Sequence, residues 1–342
     1  MKLLLLSLVA LSAVAAAQVE DWGEETGEIS SSAGFEESKR ICRSLKGRAP
    51  PAADRPDAAT AASLKGCDSE ALYYGIGMKA EPVKARQCAF LEMEAGDSMM
   101  FGGRTMLMTI YANGVGAKRD LDLATRLACE IDGAPMESDG RVRHLAGLKT
   151  TNWTGGDFHF CDDVTSGFAM GHCAGHQASI EEARRTAELA KLTAGWSEAE
   201  RQAFERLKTA HQAFAEAHSG GEIDLSGTAR AAMQVEAEEE LHGYFLKMVQ
   251  YLGSGRAPRI APAEFKGVDK TLNYTYRTRL AKIAREGYPG GPTRDGVRDA
   301  QRAWLRYRDA FLAFAAVKFR SVPRDSLATW LTRQRITMLA TD

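Results

Sequence analysis

DGVRDAQRAWLRYRD, residues 295–309, decides the fold. Val297, Ala300, Trp304 and Tyr307, continued by Phe311 and Phe314, recur at three- and four-residue steps, which is one face of a 3.6-residue helix. Arg302, Arg306 and Arg308 crowd the same stretch. The reading is a helix with a packed aromatic face beside a guanidinium network, because arginine presents a planar fork able to tie several helices together.

Working outward, the N-terminus reads as an export signal. Lys2 is followed by an apolar or small run to Ala17, and Ala15-Ala16-Ala17 fits a cleavage site. That run is shorter than the about 20 residues a membrane span needs, and no later stretch is long and apolar enough. Residues 1–17 are expected to be a cleaved signal peptide and 18–35 a flexible, acidic leader, with the mature chain periplasmic or secreted. Six cysteines, all between Cys42 and Cys173, agree with an oxidising compartment. The net charge of −1 hides an uneven distribution. From Glu264 onward 16 Lys+Arg face 8 Asp+Glu, or +8; from Glu181 to Gln250 the counts are 8 and 13, or −5. The basic end would favour anionic partners and the acidic middle cationic ones.

Two segments look alike. Leu72-Tyr73-Tyr74-Gly75-Ile76-Gly77 leads into Pro82 and a helix; Ile110-Tyr111-Ala112-Asn113-Gly114-Val115-Gly116 leads into Asp120 and a helix. Glycines supply left-handed turn conformations, and Pro and Asp suit helix starts. The period of roughly 40 residues suggests stacked helical hairpins over 36–149. Tyr111, Gly114, Val115, Gly116, Asp120 and Ala124 resemble the core of the Sel-type repeat, a relative of the tetratricopeptide repeat. Across such a hairpin Cys67 faces Cys88, leaving Cys42 for Cys129; sequential pairing, Cys42–Cys67 and Cys88–Cys129, remains the alternative.

Beyond a glycine-containing junction at 152–160 the pattern again reads as a duplication: 207–214 lies over 297–304. This gives two helical modules, 158–250 and 262–342, separated by GSGRAPRIAP at 253–262. The expected fold is all-α: helical-hairpin repeats followed by two small helical modules, stabilised by disulfides.

These modules resemble the lysozyme-inhibitor LprI-like domain of bacterial envelope proteins. Cys161 and Cys173 match its opening cysteine pair. Asp269, Leu272, Asn273 and Tyr276 match its next helix, Gln301, Trp304, Tyr307, Arg308 and Asp309 the third element, and Thr332, Arg335 and Leu339 the last. The cysteine pair occurs only in the first module and the Tyr-Arg-Asp only in the second. The resemblance implies a Cys161–Cys173 disulfide and a protein-binding activity directed at a lysozyme-like muramidase.

Of the polar signature, Tyr307, Arg308 and Asp309 with Asp269, Asn273 and Arg335 are read as one structural network, and Trp304 as core. His172 and His176 have a spacing that can seat a metal on a helix, but Cys173 between them is better explained by its disulfide. No nucleophile elbow, phosphate loop or zinc-protease motif occurs. No cofactor, metal or nucleic-acid partner is expected. The expected function is non-enzymatic binding, with inhibition of a cationic muramidase through an acidic rim at Glu216, Glu222 and Asp224 in the Ser219-Gly220-Gly221 region. A helical-repeat scaffold for an envelope complex is the alternative.

Overall fold

Glycine turns and capped helix starts punctuate the computed structural model, which describes residues 21–27, 29–30, 33–96 and 100–340. The expected signal peptide lies outside the described residues. Among them the chain is all-α with no strand. Its first part contains α1 (Glu36–Ser44), α2 (Ala58–Ser63), α3 (Ser69–Tyr74), α4 (Pro82–Glu94), α5 (Gly103–Asn113), α6 (Leu121–Ala128) and α7 (Pro135–Thr150). The long helices follow: α8 (Gly167–Thr193), α9 (Glu198–Gly221), α10 (Arg230–Gly253), α11 (Phe265–Glu286), α12 (Arg294–Lys318) and α13 (Arg324–Ala340).

From α3 to α7 each helix packs on the next. α3 and α5 both stop at a left-handed glycine, Gly75 at φ 74° and Gly114 at φ 67°. Asp120 then starts α6 by accepting from the Leu123 N–H, which satisfies one of the donors a helix start leaves free. Asn113 fastens the return segment: its side chain accepts from the Phe158 N–H and donates to the Phe158 carbonyl, both at 2.9 Å.

Disulfides join Cys42 to Cys129, Cys67 to Cys88 and Cys161 to Cys173. The first closes a separation of 87 residues, for which chain entropy alone gives roughly 4.5 kcal/mol. Part of the segment expected to be a flexible leader is built into this unit instead. Trp22 is buried, its indole N–H donates to Ser38 Oγ at 2.9 Å, and its backbone N–H donates to the Cys129 carbonyl at 2.8 Å. A large apolar ring with a satisfied N–H outweighs the acidic, Ser-rich composition around it.

The C-terminal helices follow one plan. α8 packs beside α10 and α11 beside α13, while α9 packs on α12. The α9–α12 contact is antiparallel, since Lys318 reaches Glu200 at one end and Gly221 meets Gly296 at the other. Phe204, Leu207 and Phe214 of α9 share one core with Trp304, Tyr307, Phe311 and Phe314 of α12. The two segments expected as modules therefore bury their apolar faces against each other. α8 spans both halves: Cys173 packs on the N-terminal core, Leu189 and Leu192 on the C-terminal one.

The glycine crossing fixes how closely α9 and α12 approach. A Cβ at Gly296 would sit 2.6 Å from Gly221 Cα, closer than packed atoms allow. Gly296→Ala should cost about 1–3 kcal/mol or more by forcing backbone apart. Gly243, mid-α10, has open space where a Cβ would go, so Gly243→Ala should stabilise by about 0.5–1 kcal/mol. Thermal melts of both variants check the contrast; equal melting temperatures would remove the steric argument.

Candidate functional site: a buried arginine pair and two histidine chains

Arg335, fully buried on α13, lies where three elements meet. Its Nη1 and Nη2 donate to the two carboxylate oxygens of Glu222 at 2.6 Å each, and its Nε donates to Gln301 Oε1 at 2.9 Å. Glu222 is the residue that ends α9, so this fork ties α9, α12 and α13 at one point. His218, one turn earlier, sits 2.8 Å from Glu222 Oε2, and the Arg335 guanidinium lies over the Phe214 ring. Burial alone would raise the Glu222 pKa. The hydrogen bonds from His218 and Arg335 more than offset that, and the carboxyl titrates below its usual range.

The polar signature residues do not converge on this point together. Tyr307 is buried among Phe214, Phe245 and Phe311, and its burial pushes the phenol pKa up. Arg308 turns outward to Asp309 at 3.0 Å and lies over Trp304. Asp269 and Asn273 pair one helical turn apart on α11, where the Asn273 amide donates to the Asp269 carbonyl at 2.8 Å. Leu272, Trp304 and Thr332 are buried, and Tyr276 packs partly buried against the core. The single expected network is thus four separate groups: Arg335 with Glu222, Tyr307 among its rings, Arg308 with Asp309, and Asp269 with Asn273. Arg302 and Arg306 are exposed; the guanidinium that binds helices together is Arg335.

The acidic rim is likewise divided. Glu216 and Asp224 are exposed, Glu216 taking the Gln212 amide at 2.9 Å and Asp224 accepting from the Ser226 N–H at 2.8 Å. Glu222 is only 7% exposed and fully engaged, so it offers no rim charge. The Ser219-Gly220-Gly221 stretch is the last turn of α9, held against α12, rather than a free loop.

Two histidine chains escaped the sequence reading because their partners are far apart in number. On the first, His159 Nδ1 accepts from the Cys161 N–H at 3.1 Å, which leaves its proton on Nε2 to donate to His176 Nε2 at 3.0 Å. His176 then carries its own proton on Nδ1 and donates to Glu70 at 2.5 Å, with its ring stacked on Phe101. His172 faces Phe168 instead, so the two histidines once considered for a metal do not share a ligand direction. The second chain runs from His211 Nε2 to His242 Nδ1 at 3.0 Å and from His242 Nε2 to Glu238 at 3.5 Å. His211 is buried against Phe245. Burial first, then the neighbouring His242 and Arg185, lower its pKa to about 3.

Residues 256–339, which hold α11, α12 and α13, match the family model described as lysozyme inhibitor LprI. No curated protein and no solved structure gives a match. The structure is therefore an all-α, disulfide-braced chain that ends in a domain similar to the LprI inhibitors. That domain takes the counter-charge for its buried arginine from outside the matched residues, at Glu222.

Two predictions follow from these charges. Arg335→Met strands a buried carboxylate and should cost about 3–5 kcal/mol, as should Glu222→Gln. The double variant Arg335→Met/Glu222→Leu should recover much of that loss; additive losses in urea unfolding would refute the coupling. For His211, both folded and unfolded chains are neutral above about pH 6.5. As pH falls towards 3 the unfolded chain gains a proton that the folded one refuses, so stability drops by about 1.4 kcal/mol per pH unit. His211→Phe should shrink the difference between urea midpoints at pH 7 and pH 5. An unchanged difference would assign the acid sensitivity elsewhere.

Proposed function

We propose that the chain is an exported, non-enzymatic protein that binds a lysozyme-type muramidase and blocks it. The observation that carries this reading is the match of residues 256–339 to the lysozyme inhibitor family. Three disulfides agree with an extracytoplasmic setting. Among the described residues no helix is long and apolar enough to cross a membrane. Reading 158–250 as a diverged copy of the matched domain remains part of this proposal, and its support is the sequence likeness of 207–214 to 297–304.

The docking edge is the end of α9 and the loop after it, where Glu216 and Asp224 remain as exposed carboxylates. Hydrogen bonds from Ser226 hold the Asp224 pKa below its ordinary value, so it stays charged in mildly acidic conditions. A cationic enzyme would be steered to this edge and released by salt. Muramidases of this type act through two carboxylates in a cleft, which a bound inhibitor need only cover.

The scaffold alternative has its own support. The hairpin turns stack so that a Cβ on Gly116 would lie 3.1 Å from Pro82 Cβ, and the exposed Met78, Val83 and Val115 lie at these turns. Such an apolar edge on stacked helical hairpins suits a protein partner.

Lysis of a cell-wall suspension by lysozyme, with and without the disulfide-intact mature chain, tests the leading reading. Stoichiometric inhibition is expected, weakened about tenfold in Glu216→Ala/Asp224→Ala with a flatter salt dependence. Absence of inhibition across lysozyme classes would overturn it. Inhibition lost in Val83→Glu/Val115→Glu but kept in the acidic double variant would move the contact to the hairpin stack.

A further inference from the structure

The exposed charges of most long helices are paired along the helix. α8 pairs Glu181 with Arg184 and Glu188 with Lys191; α12 pairs Asp295 with Arg298 and Asp299 with Arg302. Such alternation is the signature of a solvated face. The outer face of α11 breaks the rule. Lys266, Lys270, Tyr274 and Arg277 are spaced four, four and three residues apart, so they form one stripe about 16 Å long. All four are exposed, and none of the three cations has an ion pair among the described residues. Tyr274 is 72% exposed, among the most exposed large apolar side chains in the protein.

The inner side of α11 explains why the stripe is free. Leu272 is buried and Tyr276, Leu280 and Ile283 lean on the core, while the packing partner is α13. Among the described residues, the stripe on the outer side is exposed. The acid nearest the stripe in sequence, Asp269, is half-buried and accepts from Asn273; its one negative charge against the three cations leaves the local field positive. Across α11 there are 6 Lys+Arg and 2 Asp+Glu, or +4.

We propose that this face of α11 binds the carboxylate-bearing glycan of the bacterial cell wall. The chemistry is complementary at each position. A tyrosine ring presents a negative π face to the C–H side of a sugar ring, and its hydroxyl end tolerates water. Lys270 and Arg277 flank that ring on either side, where they meet carboxylates carried by the sugars and their peptide stems; Lys266 extends the field. The exposed Asn273 amide lies beside the stripe within reach of sugar hydroxyls. A bare polyanion would need only the cations, and a neutral glycan only the tyrosine. The stripe combines both, and the extracytoplasmic setting places it where a glycan of that composition is abundant. The proposal does not depend on muramidase binding: a chain held on the wall could inhibit an enzyme there or not.

Cosedimentation of the full mature chain with purified insoluble peptidoglycan tests it, with chitin as the uncharged glycan and immobilised polyglutamate as the charge without sugar. The wild-type chain is expected to sediment with peptidoglycan and not with chitin. Lys270→Glu/Arg277→Glu should lower retention at least tenfold. Tyr274→Ala should lower it several-fold on peptidoglycan while leaving any polyglutamate binding unchanged. All these side chains are exposed, and a thermal melt equal to wild type verifies that the variants fold. No sedimentation of the wild type, undiminished retention of the charge variant, or indifference to Tyr274→Ala would each overturn the proposal. Inhibition of lysozyme acting on a soluble chromogenic oligosaccharide is measured in parallel. It reports on muramidase binding without the wall, so either reading can fail while the other stands.

Discussion

The bidentate contact between Arg335 and Glu222 sets the terms for the C-terminal half. A guanidinium with no exposure is costly to leave unpaired, because a stranded buried charge takes several kcal/mol from a domain held by only about 5–15. Glu222 satisfies it only if α9 ends where it does, and α9 ends there only if Gly221 can lie against Gly296. The aromatic seam between α9 and α12 is then aligned residue by residue. A buried ion pair adds little net stability over an apolar replacement, but it does choose one register among several that greasy side chains would accept.

The same contact defines what the matched domain can be in this chain. Its helix α12 lines up Val297, Trp304, Phe311 and Phe314 along one side, and α9 covers that side and buries them. The matched residues thus have an apolar face completed from within the same polypeptide. The domain and the segment before it act as one folding unit whatever their separate sequence histories.

The sequence made the helical periodicities, the capped starts and the glycine turns legible, since these depend on neighbours three or four residues away. Helix α12 and the hairpin around Gly114 could be read directly. Spacing favoured Cys67–Cys88 for the same local reason. The counter-ion of Arg335 was not legible, because it lies 113 residues earlier in a stretch that reads as a solvated Gly-rich loop. The histidine chains were hidden likewise: Glu70 and His176 are 106 residues apart, and nothing around either marks the other. Trp22 shows the converse failure, where an acidic and serine-rich composition outvoted the one residue that anchors the segment. Exposed surface was the least legible of all, since which side of α11 faces water depends on where α13 packs.

Helix α8 has a consequence for the geometry of the whole molecule. Its first turns belong to the N-terminal core and its last turns to the C-terminal one, with no glycine-proline joint between them. The two halves are therefore indexed like parts keyed to one shaft. Each residue of an α-helix advances about 1.5 Å and turns by about 100°. Insertion or loss of a single residue in the middle of α8 would swing one half around the other by more than a quarter turn. The spatial relation between the hairpin edge and the α11 face is therefore written in the residue count of one helix.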